Sequence, residues 1–590
     1  MIAHEARLST LAQDADTFDR YLGEPIAARL FVGHDAHLSP RVRAALRNRG
    51  AGLTLRTLDL TDIEHQRAWA GVSDTLLAAA LPFGAAQCLT VIPAPGSDAE
   101  VCGIPTIESP TTAVPVAENV CTDGLRLGSA ESASGEVRDV RIAVEELLLH
   151  AQVIGSTGTG KSSLLAGLVG EAQAAGLGVS VIDPHGHLVE RIIAETPAGR
   201  VASVVGVRHG DPDRPIPVNP FAGRNPEMMS GVLVEVLREL HDPRNQGFMG
   251  PVWEQWLGGF MALQRALIGP RANLALLPEM AADQKRLGRL VMEISELHPE
   301  AAEKMQNIVS RRPEDYAESA SWFVSKFERM INSPELRGIL GSGRDAVDVT
   351  EVIDRQQVLL IDLAAPILGG LGAQLVGEMW LAKHWEALAQ RADPQRPHLL
   401  IVDEAHLFAS GLLPRLLTQA RKFGVAVVLA HQNLEQLTPG LREAVLASTN
   451  NVIVFRTGLQ EAAAAHERLG TWSGGPLTRL PRLTAATTLS TGAGLTDAFT
   501  LRVDHNDRAP AAAPAQVEEV VARTKEQFGL ADSAPLSFRS LQEAAGRQRH
   551  ERKARTEQQR VASRLDEWLA TRDAQRAEMV GSRTDQGTAP

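Results

Sequence analysis

Residues 155–162 constrain this chain more than any other stretch: Gly155, Ser156, Thr157, Gly158, Thr159, Gly160, Lys161 and Ser162, followed by Ser163. The spacing is that of a phosphate-binding loop, G-x-x-x-x-G-K-S. Bare glycine backbone lets successive N–H groups turn inward around a phosphate chain. Lys161 can reach the terminal phosphates, and the Ser162 hydroxyl can ligate Mg2+. Leu147 to Ile154 is apolar and predicts a buried strand before the loop. Ser163 to Ala175 is rich in Leu and Ala and predicts a helix after it, whose positive end faces the same phosphates. A loop of this kind between strand and helix implies an α/β nucleotide-binding domain using ATP and Mg2+.

A chain of 590 residues has room for two or three domains. Aromatics are only 4% of it, so its cores rest on Leu, Val, Ile and Ala. No apolar run approaches the ~18–20 residues of a membrane helix, and the polar start Met1–Arg7 lacks a signal-peptide core; the expectation is a cytoplasmic protein. Cys88, Cys102 and Cys121 form no C-x-x-C pair, which argues against a zinc site or disulfide framework. The net charge of −12 excludes a basic nucleic-acid coat. It leaves open a local basic channel, which needs only a few placed cations.

Residues 1–135 carry short apolar runs broken by Pro and Gly, such as Gln87–Ile92 and Val101–Ile107. They read as a mixed or β-rich domain whose end, 108–135, is a Ser-, Thr- and Pro-rich loop. Alternating strand and helix patterns follow over 136–225 and 341–510. Strands are expected at Val179–Asp183, Val201–Val207, Val358–Asp362, His398–Asp403, Val425–Ala430 and Asn451–Phe455, with Val218–Pro220 closing the first half of the sheet. Between the halves, 226–340 is helical, predicting an all-α insertion in the α/β domain. Residues 511–590 read as a charged helical tail. Arg547 to Arg564 carries seven Lys or Arg against two Glu, a solvated face or a DNA or partner contact, and 581–590 are expected to be disordered.

The second half of the site is Leu399–Glu404, an apolar strand ending in two carboxylates. Asp403 can hold Mg2+ through water, and Glu404 can act as general base on the attacking water. The next strand ends in His431-Gln432, where Gln432 can sense the γ-phosphate. Arg421 and Lys422 precede that strand. Either can act as an arginine-finger-type cation on a neighbouring subunit's nucleotide, or complement a helix dipole.

Together these segments resemble the HerA–FtsK superfamily of pumping ATPases, in its HerA and TraG-type branch of conjugative coupling and type IV secretion ATPases. The likeness spans about 140–505. It is carried by Ile142–His150 leading into the loop, Ile182–His187, Phe327–Met330 with Asn332–Arg337, Val358–Leu363, Ile401–His406, Ala420–Gly424 and Ala430–Gln432. It implies a RecA-like P-loop NTPase domain, split by the insertion, in a homohexameric ring that translocates DNA or drives export. It implies Lys161, Glu404 and Gln432 as catalytic, Ser162 and Asp403 as metal-binding, and Arg421 as a trans-acting arginine finger. A relaxase, nuclease or secretion channel is the implied partner. The chain departs from coupling proteins in lacking N-terminal membrane helices, and carries His187 where the family has an acidic residue. Three functions follow from the reading: a DNA motor, an ATPase for protein export or assembly, and a nucleotide-gated scaffold that recruits an effector.

Overall fold

The computed structural model describes residues 2–8, 25–28, 30–34, 53–58 and 79–82. It also describes 113–584, apart from 118–120, 224, 243–248, 329–331, 392, 409–410, 505–512 and 532–534. The runs expected at Gln87–Ile92 and Val101–Ile107, with Cys88 and Cys102, lie outside the described residues, as do Arg329, Met330 and 585–590. The chain divides into two compact units, Met1–Thr111 and Thr112–Pro590. The first contains strands β1 (Ile2–Leu8), β2 (Pro25–Ala28), β3 (Leu30–His34), β4 (Leu53–Leu58) and β5 (Ala79–Pro82). They form an antiparallel β3–β1–β4 sheet and a β2–β5 pair.

The second unit is organised by one large sheet. Its strands are β6 (Leu125–Glu131), β7 (Val137–Ile142), β8 (Ala151–Ile154), β9 (Gly178–Asp183), β10 (Val204–Arg208), β11 (Val358–Asp362), β12 (His398–Val402), β13 (Val425–His431), β14 (Asn451–Val454), β15 (Thr484–Thr488) and, beyond the short pair β16 (Ser490–Thr491) and β17 (Gly494–Leu495), β18 (Phe499–Arg502). The order is β10–β11–β9–β12–β13–β8–β14–β15–β18–β6–β7. From β10 to β14 every pairing is parallel, and from β14 to β7 every pairing is antiparallel. The parallel strands β8, β9, β11, β12, β13 and β14 are buried along their whole length, as a sheet covered on both faces must be. This is the RecA-like P-loop fold, with an antiparallel wing.

Several sequence expectations change here. Leu147 to His150 is not strand: Val144–Leu147 is a helical turn, and His150 adopts a left-handed φ of 61° before β8 begins. Val201–Ser203 belongs to a 3-10 turn, so the strand starts at Val204. Val218–Pro220 is no strand either. Asn219 caps a 3-10 turn, and its amide donates to the carbonyls of Pro270, Ala272 and Gly343. Within the segment read as loop, residues 125–131 form β6, whose apolar residues Leu125, Leu127 and Ala130, on either side of a register shift at Arg126–Gly128, are buried in the same core as the helix after the phosphate loop. Ser and Thr are compatible with a half-buried strand, which is why composition alone misled there.

Between β10 and β11, helices span Pro226–His241, Pro251–Ile268, Leu276–Ala281, Gln284–Ile294, Pro299–Val309, Pro313–Ser325 and Pro334–Leu340. Pro at the first turn and Asn225, Asp283 or Ser333 as N-caps define several of the starts. The scarce aromatics concentrate here. Trp253, Trp256, Phe260, Tyr316, Phe323 and Phe327 stack on one another with ring centroids 5.0–6.3 Å apart.

The tail has two structural roles. Ala513–Phe528 is a helix on the edge strand β10, where Thr524 Oγ1 accepts from Gly206 N and Arg523 donates to the carbonyls of Val201 and Val204. Phe538–Thr584 is one long helix. Its start packs on the insertion through Phe538, Leu541, Ala544 and Ala545, with Arg286 stacked 4.3 Å over Phe538. From about residue 550 onward its described side chains lie exposed, including Val561, Leu565 and Trp568, with Leu569 alone among them half-buried. The helix continues to Thr584.

Candidate nucleotide site

The strand order decides where the chemistry sits. β13 lies between β12 and β8, so the strand carrying the carboxylates and the strand feeding the loop are separated by the one ending in Gln432. Parallel strands bring all three carboxyl ends to the same edge, the usual place for a ligand in an α/β sheet.

The loop is braced on three sides. Gly155 N donates to His431 O (3.3 Å), Ser156 N to Arg456 O (2.9 Å), and Leu483 N to Thr159 O (2.8 Å). Thr159 Oγ1 closes the turn onto Ser156 O at 2.7 Å. Gly158 and Gly160 have φ of 76° and 135°, conformations that L side chains rarely adopt. A Cβ on Gly155 would lie 2.7 Å from Phe455 Cβ, and one on Gly160 2.7 Å from Phe455 Cε1. The glycines are therefore required by packing against Phe455 as well as by the turn.

The helix Lys161–Ala174 begins at the end of the loop. Lys161 is buried and donates to Gly155 O at 2.6 Å. Burial lowers its pKa, while Glu404 and Asp403 support its charge. Ser162 is exposed and Ser163 is buried, bonded to Arg191 Nη1 at 2.9 Å.

Across the cleft, Asp403 N donates to Ile182 O (3.0 Å), which extends the β12–β9 pairing by one residue. Its carboxyl is pushed up to about 7 by burial and then by the neighbouring Asp183 and Glu404. Asp183 is committed elsewhere: its oxygens accept from His185 N, Leu188 N and Val189 N, capping the helix His187–Glu195. Glu404 has a left-handed backbone (φ 45°, ψ 49°), a strained conformation of the kind that gathers at working sites. Burial raises its pKa, but His406, Gln432 and Lys161 outweigh this and bring it to about 2. Gln432 Nε2 donates to Glu404 Oε1 at 2.8 Å. The His406 ring lies 3.3 Å from Glu404 Oε2 without hydrogen-bond alignment, so the Gln432 amide is the better-defined partner.

Lys161, Ser162, Asp403 and Glu404 line one cavity of about 220 Å³, together with Ser156, Thr157, Gly158, Gly160 and Ser163. Arg191 and Arg482 complete its wall. Neither arginine falls in a motif, and sequence reading missed both. Larger hollows lie on the helical insertion, about 600 and 780 Å³, but neither contains a phosphate cradle. The loop fits a nucleoside triphosphate: its glycine backbone is open to the cleft and Lys161 is held only by a carbonyl of its own loop. A hydroxyl and a carboxylate are oxygen donors suited to Mg2+, which takes few protein ligands and keeps phosphate and water oxygens. Among the described residues no group of three or more His, Cys, Asp or Glu forms a metal site by itself.

Arg421 does not join this cluster. It is exposed on the 3-10 turn Ala420–Phe423, before β13, and its charge falls on His150 at the amino edge of the sheet. Seven strand residues separate it from Gln432, roughly 20 Å.

Residues 125–202 match the family described as the central domain of helicase HerA. No curated protein matches the chain. Among solved structures, it is similar to plasmid coupling protein TrwB in complex with ADP and Mg2+ (16% identity, 68% of this chain and 96% of that one, TM-score 0.47). It is also similar to VirB4 of Thermoanaerobacter pseudethanolicus (15% identity, 65% of this chain and 97% of that one, TM-score 0.45). No described helix is long and apolar enough to cross a membrane. The family match lies across the loop and its two flanking strands, so the likeness to the HerA central domain falls on the phosphate-binding part of the sheet.

Proposed function

We propose that this chain is an ATP-hydrolysing ring motor that moves DNA, in conjugation or in the transfer and processing of a mobile element. The observation that carries the reading is the pairing of Glu404 with Gln432 at 2.8 Å, beside Lys161 across adjacent strands. Glu404 is ionised and aimed by an amide, as a general base for water must be. Lys161 turns from Gly155 O to the β- and γ-phosphates; Ser162 and Asp403 would hold Mg2+, which would supply positive charge against the transferred phosphoryl group. Gln432 releases or regains Glu404 according to whether a γ-phosphate is present, which ties hydrolysis to movement of β13.

A ring accounts for Arg421. At the far edge of the sheet it is too distant for its own nucleotide and faces outward, where a neighbouring copy's cleft can receive it. DNA contacts would be to phosphates, with little sequence preference. The motor works in the cytoplasm as a homohexamer, with a relaxase, nuclease or secretion channel as partner.

The test is ATP hydrolysis by the full chain with and without single- and double-stranded DNA, beside Glu404→Gln. Strong stimulation by DNA, lost in the variant by a factor of about 10²–10⁴, is the expected result. Hydrolysis indifferent to DNA replaces this reading with a type IV secretion-like ATPase for protein export or assembly. Tight ATP binding with no turnover in the wild-type protein replaces it with a scaffold recruiting an effector.

A further inference from the structure

We infer that Arg482 is a nucleotide-binding residue acting in cis, a second cation on the phosphate chain supplied by the antiparallel wing of the same subunit. The inference rests on the reading of residues 155–162 as an ATP site and goes beyond it, because no motif includes Arg482.

Three observations place it there. Arg482 lines the same cavity as Lys161, Ser162 and Glu404. The residue after it is fastened to the loop itself: Leu483 N donates to Thr159 O at 2.8 Å, while Leu483 O accepts from Val503 N at 2.8 Å. Leu483 adopts a left-handed φ of 63°, which a branched aliphatic residue does not take without being held there. The bend is thus fixed from both sides. It brings the end of the Pro481–Leu483 segment against the loop, with Leu483 Cα only 3.2 Å from where a Gly160 Cβ would be.

The other arginine of the cavity differs. Arg191 is committed to Ser163 Oγ at 2.9 Å and to Glu195 at 2.9 Å, so it braces the helix after the loop. Arg482 is exposed at the cavity wall, one residue before the Leu483 backbone bond to the loop. A planar guanidinium suits the paired oxygens of a polyphosphate better than an ammonium does. Its chemistry is also what the cleft needs. Lys161 is the one motif cation in a cavity that also holds Asp403 and Glu404, and a tetra-anionic ligand entering beside two carboxyl groups calls for a further cation. Since Arg482 leads directly into β15, the contact would also tell the wing β15–β18–β6–β7 whether nucleotide is present.

The experiment is equilibrium binding of a fluorescent ATP analogue with Mg2+ to full-length wild-type protein, Arg482→Ala and Arg482→Lys, with thermal melting of each without nucleotide. The expected result is a ten- to a hundredfold weaker affinity for Arg482→Ala, the order set by one charge-assisted contact. Arg482→Lys recovers part of it, and the melting curves of nucleotide-free protein coincide. Wild-type binding matched by Arg482→Ala overturns the role of Arg482 and leaves the site standing. A wild-type protein that binds no nucleotide overturns the site and the inference with it. Weakened binding in both variants with a lowered melting temperature assigns Arg482 to structure and also overturns the inference.

Discussion

At the carboxyl edge of the parallel sheet, Lys161 and Glu404 hold opposite charges in a partly buried cleft beside Asp403. At the amino edge of the same strands, His150 and His398 are buried as completely as any core residue and are kept neutral. His150 Nδ1 accepts from Val427 N at 3.1 Å, and His398 Nε2 pairs with Ser180 Oγ at 2.9 Å. Burial lowers the pKa of both rings. Polar groups therefore occur inside both edges, but only one edge arranges them around a hollow and gives them opposing charges. Burial of a titratable group does not mark a site; convergence of unlike groups on a shared cavity does.

The comparison breaks most sharply at Arg421, a residue of the amino side assigned a task in catalysis. If it completes a neighbour's cleft, Arg421→Ala lowers the hydrolysis rate by about 10³ while ATP affinity in dilute, unassembled protein stays at the wild-type value. Mixing Arg421→Ala with Lys161→Ala subunits then restores part of the activity, because the second variant lends its arginine to the intact loop of the first. Two inactive preparations that stay inactive when mixed place Arg421 outside the reaction.

Within the carboxyl edge the next effect is steric. Gly160→Ala forces a Cβ to 2.7 Å from the Phe455 ring at a φ of 135°. Overpacking of this kind costs about 1–3 kcal/mol, and here the loop backbone has to yield. ATP affinity is expected to fall about ten- to a hundredfold, read by calorimetry. The double change Gly160→Ala with Phe455→Leu recovers part of it if the ring is the obstacle. A smaller loss belongs to Gln432→Ala, which removes one hydrogen bond to a carboxylate. Its turnover should drop about tenfold with unchanged nucleotide affinity, and stimulation by DNA should drop with it. Unchanged DNA stimulation would detach Gln432 from coupling.

How much of this was legible in the residues follows from what each signal depends on. The loop, Asp403 and Glu404 act through local spacing and strand ends, so sequence suffices to see them. The place of Gln432 beside Glu404 depends on β13 lying between β12 and β8, which the order of motifs suggests and the pairing supplies. Arg482 and Arg191 were invisible because they reach the cavity through a bend held at Leu483 and a helix capped by Asp183, contacts distant in sequence. The wing was missed for another reason. β6 is Leu-Arg-Leu-Gly-Ser-Ala-Glu, and its glycine and serine read as loop until the helix behind it is known. The tail was read by its charge, yet Val517 and Val520 bury against β10 because two apolar residues on one helix face are enough to dock it.

The amino edge offers the last and smallest test, of stability rather than rate. The folded-state pKa of His150 is lowered to about 4 by burial, against about 6.5 in an unfolded chain. Above 6.5 the ring is neutral in both states and the stabilising neutral contact is fully present. As pH falls from 6.5 toward 4 the unfolded chain takes up a proton that the folded one refuses, so stability is lost across that window. His209 and His384, lowered to about 3 and about 4, act in the same direction. His150→Asn keeps a short polar side chain compatible with the left-handed backbone and removes one of these protons. Its unfolding free energy, followed by denaturant titration, should fall less steeply between pH 6.5 and 4, by at most about 1.4 kcal/mol per pH unit. ATP affinity at pH 7.5 should not change, since the residue lies at the edge opposite the cleft. A variant with the wild-type slope means that His150 protonates freely in the folded protein, and the contrast between the two edges then rests on His398 alone.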